Sequence, residues 1–548
     1  MSQALVDSVP NSHADALRIS GVVSLRTWGS QHPRVVSWPS SPGLRRRGAT
    51  GIVQLVSGRS PYDLVFSGGR LIDPETGTDR VGDVGITAGR ITAVGETGLA
   101  GRVVLDVSGC VVCPGFIDLH SHAQGIAEHR LQALDGVTTA LELEAGAFPV
   151  EHCYARAAIE GRPINYGFSA SWALARMSVL AGVKDPGGIE SFFAHIADPA
   201  WQRVGTRKQV ARIADLLARE LGGGALGVGV LVGYAPDTAL DEYLAIARVA
   251  AQVGAPTYTH SRDLVEVDPA TPIDGPSEIV RAAAETGAHM HYCHINATTA
   301  RHVDRVLHLI SEARAEGSKV TTEAYPYGVG MTGIGARFLA PERLAQRGLS
   351  PTSVRYAPTG KVVADVAELT ELRRRDPGGL CFVENLREDD PDEFAFVEKA
   401  MSGPATIIAS DAIPLHWAGP AEPTAWPLPP GAVTHPRTAG TYARTLRWAR
   451  ERELMTLAEA IARSTLYPAR VLEDVAPTMR RKGRIQVGCD ADVVVFDPAT
   501  VRDHATYTDT TRPSRGIVHV LVDGTFVVRD GEVEPGAMPG RPVRAGVG

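Results

Sequence analysis

The feature that most constrains this chain is an alternation of apolar strand patterns and amphipathic helical patterns through its middle. Eight apolar runs predict strands, at residues 114–119, 137–144, 164–170, 225–231, 255–260, 288–294, 318–324 and 405–410. Helical periodicity separates several of them, at residues 208–221, 241–253, 278–286 and 300–316. Eight strands alternating with helices over roughly 300 residues are typical of a (β/α)8 TIM-type barrel. We therefore predict an α/β fold with such a barrel over residues 113–481.

Both ends of the chain carry short alternating runs punctuated by Gly and Asp, as in small β modules. We predict one small β-sandwich-like domain, built from residues 61–112 and 482–535. Residues 1–60 are rich in Ser, Pro, Gly and Arg, with little periodicity, and predict a poorly ordered N-terminal extension. Its Leu44–Arg47 run has no long apolar stretch after it, so we do not expect a cleaved signal.

Composition narrows the class of partner. The formal net charge of -7, without a basic stripe interleaved with aromatics, argues against a nucleic-acid partner. An uninterrupted apolar window of about 18 residues is missing from the sequence, which argues against a membrane span. The six cysteines show no Cys-x-x-Cys spacing, which favours reduced thiols. We expect a cytoplasmic protein that acts on a small molecule, and leave a homo-oligomer open.

Two histidines one residue apart follow the first predicted strand. Residues at i and i+2 of a strand point to the same face, so His120 and His122 should converge. Two neutral imidazoles aimed at one point suit zinc or a similar divalent ion.

Polar residues also end four other predicted strands, and active sites of such barrels lie at the carboxyl ends of the strands. These residues are Glu142 and Glu144 on the second strand, His260 on the fifth, His294 on the sixth and Asp411 on the eighth. Each has an ordinary explanation alone, such as a helix N-cap. Together with His120 and His122 they predict a metal centre.

Several segments resemble the amidohydrolase superfamily, and within it the D-aminoacylase (N-acyl-D-amino-acid deacylase) group, over about residues 61 to 535. Those segments are Pro114–His122, Gly136–Thr139, Gly224–Val230, Tyr234–Pro236, Tyr258–Arg262, Tyr325–Gly328, Thr434–Arg437, Gly440–Tyr442 and Gly483–Phe496. The resemblance implies a metal-dependent hydrolase that cleaves an N-acyl-D-amino acid to a carboxylate and a D-amino acid.

The same resemblance implies roles for individual residues and a content of one or two divalent ions, zinc in the first place. His120 and His122 would bind one metal, and His260 and His294 a second. Asp411 would contact the first metal and serve as general base and acid. This fits amide hydrolysis, in which the ion polarises the carbonyl and a carboxylate takes the proton.

The sequence of this chain differs from that of D-aminoacylases on the second predicted strand. D-aminoacylases resemble one another there in a Gly-Asn-Cys-Gly run with a metal-binding Cys, whereas this chain has Leu143–Gly146, with Ala145 in place of the thiolate. Strand alternation puts Glu142 and Glu144 on one face. We predict Glu144 as the bridging ligand and Glu142 as deeper support for it, and the reverse assignment stays open.

Substrate-binding candidates follow the later strands. Arg437 is a candidate partner for the carboxylate of an acyl-amino acid, with a structural ion pair as the alternative. Tyr325 and Tyr327 are candidates for positioning the amide or the carboxylate, and Tyr234 is a further one. Where D-aminoacylases often have a Lys two residues after the sixth-strand His, this chain has Asn296.

Three functions compete on these residues. The first is hydrolysis of a linear amide, the second is hydrolysis of a cyclic amide as in dihydroorotases and hydantoinases, and the third is non-catalytic binding on a retained barrel. The linear amide is favoured by two runs, Tyr325–Tyr327 and His435–Arg437, and by the absence of a Lys from every predicted strand end. The acyl group, side chain and stereochemistry of the substrate are left open by the sequence.

Overall fold

An eight-stranded parallel sheet forms the centre of the molecule in a computed structural model, which describes residues 60–95, 97–417, 422 and 424–546. Its strands are β6 (Phe116–Asp118), β7 (Val137–Ala147), β8 (Asn165–Ser171), β9 (Val228–Val230), β10 (Pro256–Thr259), β11 (His289–Tyr292), β12 (Val320–Ala324) and β17 (Ile407–Ile408). They lie in the order β17-β12-β11-β10-β9-β8-β7-β6, and each pairs in parallel with its neighbours. The predicted α/β barrel is confirmed.

The first and last barrel strands meet through residues that follow them. The backbone N–H of His122 donates to the carbonyl of Ala412 at 2.8 Å. The buried carboxylate of Asp118 accepts hydrogen bonds from the backbone N–H groups of His120, at 3.1 Å, and Ser410, at 3.0 Å. These contacts join β6 to β17 at the carboxyl end of the barrel, where the predicted site residues lie.

Helices cover the outside of the sheet. They are α1 (Ile126–Ala133), α2 (Val150–Glu160), α3 (Trp172–Arg176), α4 (Ile189–Ala194), α5 (Pro199–Gln202), α6 (Arg207–Gly222), α7 (Leu240–Gln252), α8 (Gly275–Thr286), α9 (Ile295–Thr299), α10 (Val303–Ala315), α11 (Pro341–Gln346), α12 (Val366–Arg375), α13 (Pro391–Ser402), α14 (Arg437–Glu451), α15 (Leu457–Ser464) and α16 (Leu466–Leu472). None of the helices in the described ranges is long and apolar enough to cross a membrane.

Helix α6 shows how local sequence positions these helices. The Thr206 side chain accepts from the backbone N–H of Gln209, whose own side chain accepts from the backbone of Thr206, which forms a capping box. Ile213, Leu217 and Leu221 follow at intervals of four residues and are all buried. One apolar stripe therefore packs against the barrel while the opposite face remains in solvent.

The two ends of the chain build a second sheet. Its strands are β1 (Tyr62–Asp73), β2 (Thr78–Thr87), β3 (Arg90–Val94), β4 (Gly101–Asp106), β5 (Val111–Pro114), β18 (Val493–Phe496), β19 (Ile517–Val522), β20 (Thr525–Arg529) and β21 (Glu532–Val533). The N- and C-terminal halves meet where β5 pairs antiparallel with β18. The strands form one hydrogen-bonded sheet with an apolar core of its own.

The predicted domain boundaries stay a prediction, and two observations bear on them. Strand β5 crosses the predicted boundary at residue 112, and only Gly115 separates it from barrel strand β6. Beyond residue 535, the chain pairs with the barrel, since the N–H of Val543 donates to the carbonyl of Tyr166 at 2.7 Å. The predicted disorder of residues 1–60 lies outside the described residues, apart from Ser60.

An insertion between β12 and β17 carries a third, four-stranded sheet that the sequence did not predict. Its strands are β13 (Val329–Gly333), β14 (Val354–Tyr356), β15 (Lys361–Val362) and β16 (Leu380–Glu384), in the order β13-β16-β14-β15. A second excursion, between β8 and β9, carries helices α3 to α6. Both excursions lie at the carboxyl end of the barrel and contribute side chains to its mouth.

Lys482 joins the β domain to the barrel through buried charges. Its Nζ lies 2.5 Å from Asp492 Oδ2 and 3.1 Å from Asp490 Oδ2. Asp492 Oδ2 also accepts from the Asn165 side chain on β8, at 2.9 Å. Burial opposes the charge on Lys482, but these two carboxylates raise its pKa above the usual range.

We expect Lys482→Met to destabilise the protein by about 3–5 kcal/mol, because it leaves the buried Asp492 carboxylate without its cation. Asp490 keeps its ion pairs with Arg90 and Arg481. Thermal unfolding followed by circular dichroism measures the effect. Lys361→Met is the matched control, since Lys361 is exposed and should change the melting temperature little. Equal melting temperatures for the two variants would contradict a role for Lys482 at the domain junction.

Candidate metal centre

The predicted site residues meet at the carboxyl end of the barrel. His120 and His122 follow β6, Glu144 lies near the end of β7, and His260 follows β10. His294 and Asp411 follow β11 and β17 with backbone φ angles of 31° and 51°. Such angles are rare outside glycine and concentrate at functional sites. The six side chains lie together and are all buried.

Two imidazole nitrogens and two carboxylate oxygens lie close together. Nε2 of His120 and Nε2 of His122 are 3.2 Å apart. Glu144 Oε2 lies 3.3 Å and 3.6 Å from these two nitrogens, and Asp411 Oδ1 lies 3.5 Å and 3.4 Å from them. Ligand atoms of a tetrahedral zinc ion stand about 3.3 Å apart when the Zn–N bonds are about 2.0–2.1 Å long. The spacing and chemistry of this donor set therefore fit a divalent ion.

The second oxygen of Glu144 faces the other two histidines. Glu144 Oε1 lies 2.7 Å from His294 Nε2 and 3.1 Å from His260 Nδ1. One carboxylate thus stands between two pairs of imidazoles, which is the arrangement a bridging ligand requires. The 2.7 Å distance is that of a hydrogen bond, so the second set would have to open slightly to admit an ion.

The close approach of β7 to β9, two strands away in the sheet, depends on a glycine. A Cβ at Gly229 on β9 would lie 2.2 Å from the carbonyl oxygen of Glu144. Only a residue without a side chain leaves room for the Glu144 backbone at this position.

Glu142 lies behind His122. Its two carboxylate oxygens are 2.9 Å and 3.0 Å from His122 Nδ1, and Oε1 also accepts from the backbone N–H groups of Ala145 and Gly146. An imidazole held by its Nδ1 presents Nε2 to a metal, and such carboxylates orient metal-binding histidines. The geometry matches the assignment of Glu144 as bridge and Glu142 as support, which stays a prediction.

Glu323, which was not among the residues predicted from the sequence, supports His120 in the same way. Glu323 Oε1 lies 2.5 Å from His120 Nδ1, and Oε2 lies 2.9 Å from His291 Nε2. Glu323 is the penultimate residue of β12, so the rule that polar residues at strand ends build the site would have found it.

The charges in this cluster depend on one another. Burial opposes the charge on His120, but Glu144, Asp411 and Glu323 raise its pKa well above the usual range. Burial likewise opposes the charge on His122, yet Glu142 and Asp411 raise its pKa to about 9. The carboxylates thus require positive charge beside them, which protonated imidazoles supply, or a divalent ion bound to neutral ones.

Arg437 combines the two alternatives drawn from the sequence. Its Nη2 lies 2.8 Å from Asp411 Oδ2, and its Nε donates to the carbonyl of Asp411. Its guanidinium carbon also lies 4.8 Å from the centre of the Tyr325 ring. Nη1 has no hydrogen-bond partner among the described residues, and Nη2 has none beyond its ion pair with Asp411. Arg437 is therefore held in place and retains one nitrogen for a ligand.

That nitrogen belongs to a group we call the polar corner, formed by Arg437, Tyr325 and Asn385 around Gly330. A Cβ at Gly330 would lie 4.0 Å from Arg437 Nη1, 3.6 Å from the Tyr325 hydroxyl and 3.2 Å from Asn385 Nδ2. All four residues line a cavity that also reaches Glu144 and Asp411.

The other candidates divide between the cavity and its surroundings. Tyr234 lines the cavity, and its hydroxyl lies 2.9 Å from that of Thr332. Tyr327 lies outside the cavity lining, where it packs under Arg444 with 4.2 Å between guanidinium and ring. Asn296 holds the backbone of this turn, since its Nδ2 donates to the Tyr327 carbonyl at 3.1 Å and its Oδ1 accepts from the Tyr325 N–H at 3.3 Å.

Comparison with known proteins places these features in a family. A family model described as "Amidohydrolase family" matches residues 103–528. The N-acyl-D-glutamate deacylase of Alcaligenes xylosoxydans xylosoxydans is 30% identical over 518 residues, which cover 88% of this chain and 96% of that protein. The D-aminoacylase of the same organism is 30% identical over 502 residues, which cover 86% of this chain and 95% of that protein.

A solved structure gives the same result for the fold. The N-acyl-D-glutamate deacylase from Bordetella bronchiseptica, crystallised with zinc and a phosphonate mimic of the tetrahedral reaction intermediate, superposes with a TM-score of 0.68 and 27% sequence identity. The superposition covers 88% of this chain and 100% of that one.

We expect Glu144→Ala to lose bound metal, because its carboxylate faces both pairs of histidines. Elemental analysis of dialysed protein measures the metal content, and far-UV circular dichroism checks that the barrel is folded. Glu142→Ala is the matched control. It removes only the support of His122 and should weaken metal affinity by about 10–100-fold, so that excess metal restores occupancy. Full metal content in Glu144→Ala, with loss in Glu142→Ala, would move the bridge to Glu142.

Proposed function

Since this chain belongs to the amidohydrolase family, we propose that it hydrolyses the linear amide of an N-acyl-D-amino acid to a carboxylate and a D-amino acid. One observation carries the proposal: the Glu144 carboxylate lies between two pairs of histidines, with Asp411 beside it and the polar corner in the same cavity. The names of the N-acyl-D-glutamate deacylase and D-aminoacylase relatives support the substrate class.

We propose zinc as the ion, held by His120, His122, Glu144 and Asp411, with His260 and His294 forming a second position beside Glu144. The zinc in the Bordetella bronchiseptica structure supports this choice. A divalent ion bound here polarises the scissile carbonyl and lowers the pKa of bound water to about 7.

Asp411 acts as general base and then as general acid. Its Oδ1 faces His120 and His122. From this position the carboxylate takes the proton of the attacking water and then gives it to the leaving amine. Burial raises the pKa of this carboxyl, but the charges of Arg437 and His120 lower it by more, so that its pKa lies below the ordinary value. Asp411 is therefore ionised and ready to accept a proton at neutral pH.

The polar corner binds the carboxylate of the substrate. Arg437 Nη1 is unpartnered among the described residues, and a charged donor in a buried site gains most from a charged acceptor. The Tyr325 hydroxyl and the Asn385 amide stand beside it. A free carboxylate is present in every N-acyl-amino acid and absent from a simple hydantoin, so these donors favour the linear substrate over a hydantoin.

We also propose a cytoplasmic location, supported by the six free cysteines, five of which are buried. Formation of a homo-oligomer stays a prediction.

We expect Asp411→Asn to lower kcat by about 10²–10⁴-fold, because the amide cannot take the proton of water. The measurement is release of the D-amino acid from an N-acetyl-D-amino acid, with metal content determined on the same sample. The four histidines and Glu144 should retain most of the metal. Near-normal kcat in a metal-loaded variant would contradict the assignment of Asp411 as the base.

We expect Arg437→Lys to lower kcat/KM for an N-acetyl-D-amino acid by about 10–150-fold, the effect of losing one charged hydrogen bond. The matched substrate is the corresponding carboxamide, which has no carboxylate for Arg437 to bind. Wild-type protein should prefer the acid strongly, and the variant should lose most of that preference. An equal loss on acid and carboxamide would limit Arg437 to holding Asp411.

A further inference from the structure

The cavity has an apolar side as well as a polar one. The apolar wall consists of side chains from the excursion after β8, the end of β9 and the insertion after β12, namely Ile189, Phe192, Phe193, Leu231, Tyr234 and Phe338. These rings pack on one another, since Tyr234 lies 5.1 Å from both Phe192 and Phe338 between ring centroids. Tyr234 lines the cavity, and its hydroxyl is hydrogen-bonded to that of Thr332.

The apolar wall lies close to the polar corner. Gly330 borders the polar corner, and Thr332, two residues along β13, contacts Tyr234 of the wall. Residues i and i+2 of a strand share a face and stand roughly 7 Å apart. If the carboxylate of a substrate lies in the polar corner, the substrate group that contacts the apolar wall must be attached to a carbon close to that carboxylate. In an N-acyl-amino acid this group is the side chain.

Arg347 is the one arginine besides Arg437 that lines this cavity in the described structure, and its charge is already neutralised. Its Nε and Nη2 lie 3.0 Å and 2.7 Å from Asp263 Oδ1. Its guanidinium carbon also lies 4.7 Å from the centre of the Phe338 ring. An acidic side chain would have to compete with Asp263 for this arginine.

We propose that the Asp263–Arg347 ion pair sets the substrate specificity: by neutralising Arg347 it excludes acidic side chains, and the apolar wall accepts uncharged apolar ones. This inference rests on the proposed function and deepens it. It separates this chain from its relative that is named for N-acyl-D-glutamate. The apolar wall thus contacts the side chain of a D-amino acid such as leucine, methionine or phenylalanine.

The first test is a panel of N-acetyl-D-amino acids with the zinc-loaded protein. We expect kcat/KM for D-leucine, D-methionine and D-phenylalanine derivatives to exceed that for D-alanine, and D-glutamate and D-aspartate derivatives to fall below it. If the protein hydrolyses the D-alanine derivative, but kcat/KM is higher for the D-glutamate derivative than for the D-leucine derivative, the inference is overturned and the proposed function stands. Failure to hydrolyse any of them would overturn the proposed function itself.

The second test frees the arginine. Asp263→Asn should raise the ratio of kcat/KM for N-acetyl-D-glutamate to that for N-acetyl-D-leucine by about 10-fold or more, the effect of one gained charged hydrogen bond. Adding Arg347→Met to that variant should abolish the gain. Asp237→Asn is the matched control, because Asp237 pairs with Arg337 outside this cavity, at 2.6 Å. An unchanged ratio in a folded Asp263→Asn protein would overturn the role of the ion pair.

The third test addresses the wall. Phe193→Ala should lower kcat/KM for the D-phenylalanine derivative several-fold more than for the D-alanine derivative, because Phe193 is only partly buried and its loss removes side-chain contact without emptying the core. Equal loss on the two substrates would show that the wall does not hold the side chain. A preference that follows the length of the acyl chain, with the side chain fixed as alanine, would also overturn the inference.

Discussion

The site depends on one buried carboxylate. Glu144 is 3% exposed and contacts histidines that arrive from three separate strand ends. Removing a carboxylate from water costs several kcal/mol, and only nearby positive charge offsets this cost. Burial raises the pKa of Glu144, but His120, His294 and His260 hold it well below the usual range. The carboxylate and the imidazoles, or the ion they bind, are thus stable only together.

Three further buried carboxylates hold the histidines and the strand ends in place. Glu142 holds His122, Glu323 holds His120, and Asp118 ties the backbone of the first strand end to that of the last. The contacts of Glu142 and Glu323 leave the Nε2 atoms of His120 and His122 close together, so these two imidazoles would not have to reorganise to bind the proposed ion. Barrel closure and the geometry of the proposed metal centre therefore depend on the same few residues.

The barrel carries the chemistry, whereas the two excursions shape the cavity. The polar corner takes Asn385 and Gly330 from the insertion after β12, and the apolar wall takes Phe192 and Phe193 from the excursion after β8. Loops and insertions on a rigid scaffold commonly determine specificity in this way. Related barrels can consequently share a metal centre and differ in the side chain they accept.

The sequence by itself determined the barrel, the second β domain and the strand ends that build the site, because periodicity and residue order along a strand are local properties. The i, i+2 spacing alone predicts that His120 lies beside His122 and that Glu142 and Glu144 share a face. Only the tertiary structure decided that Glu323 supports His120, that Tyr327 lies outside the cavity, and that Arg347 is paired with Asp263. These contacts join residues about 80 to 200 positions apart, and a periodic pattern along the chain does not say which distant residues will pair. Pairing of distant charges is a property of packing, and packing is decided by the whole chain.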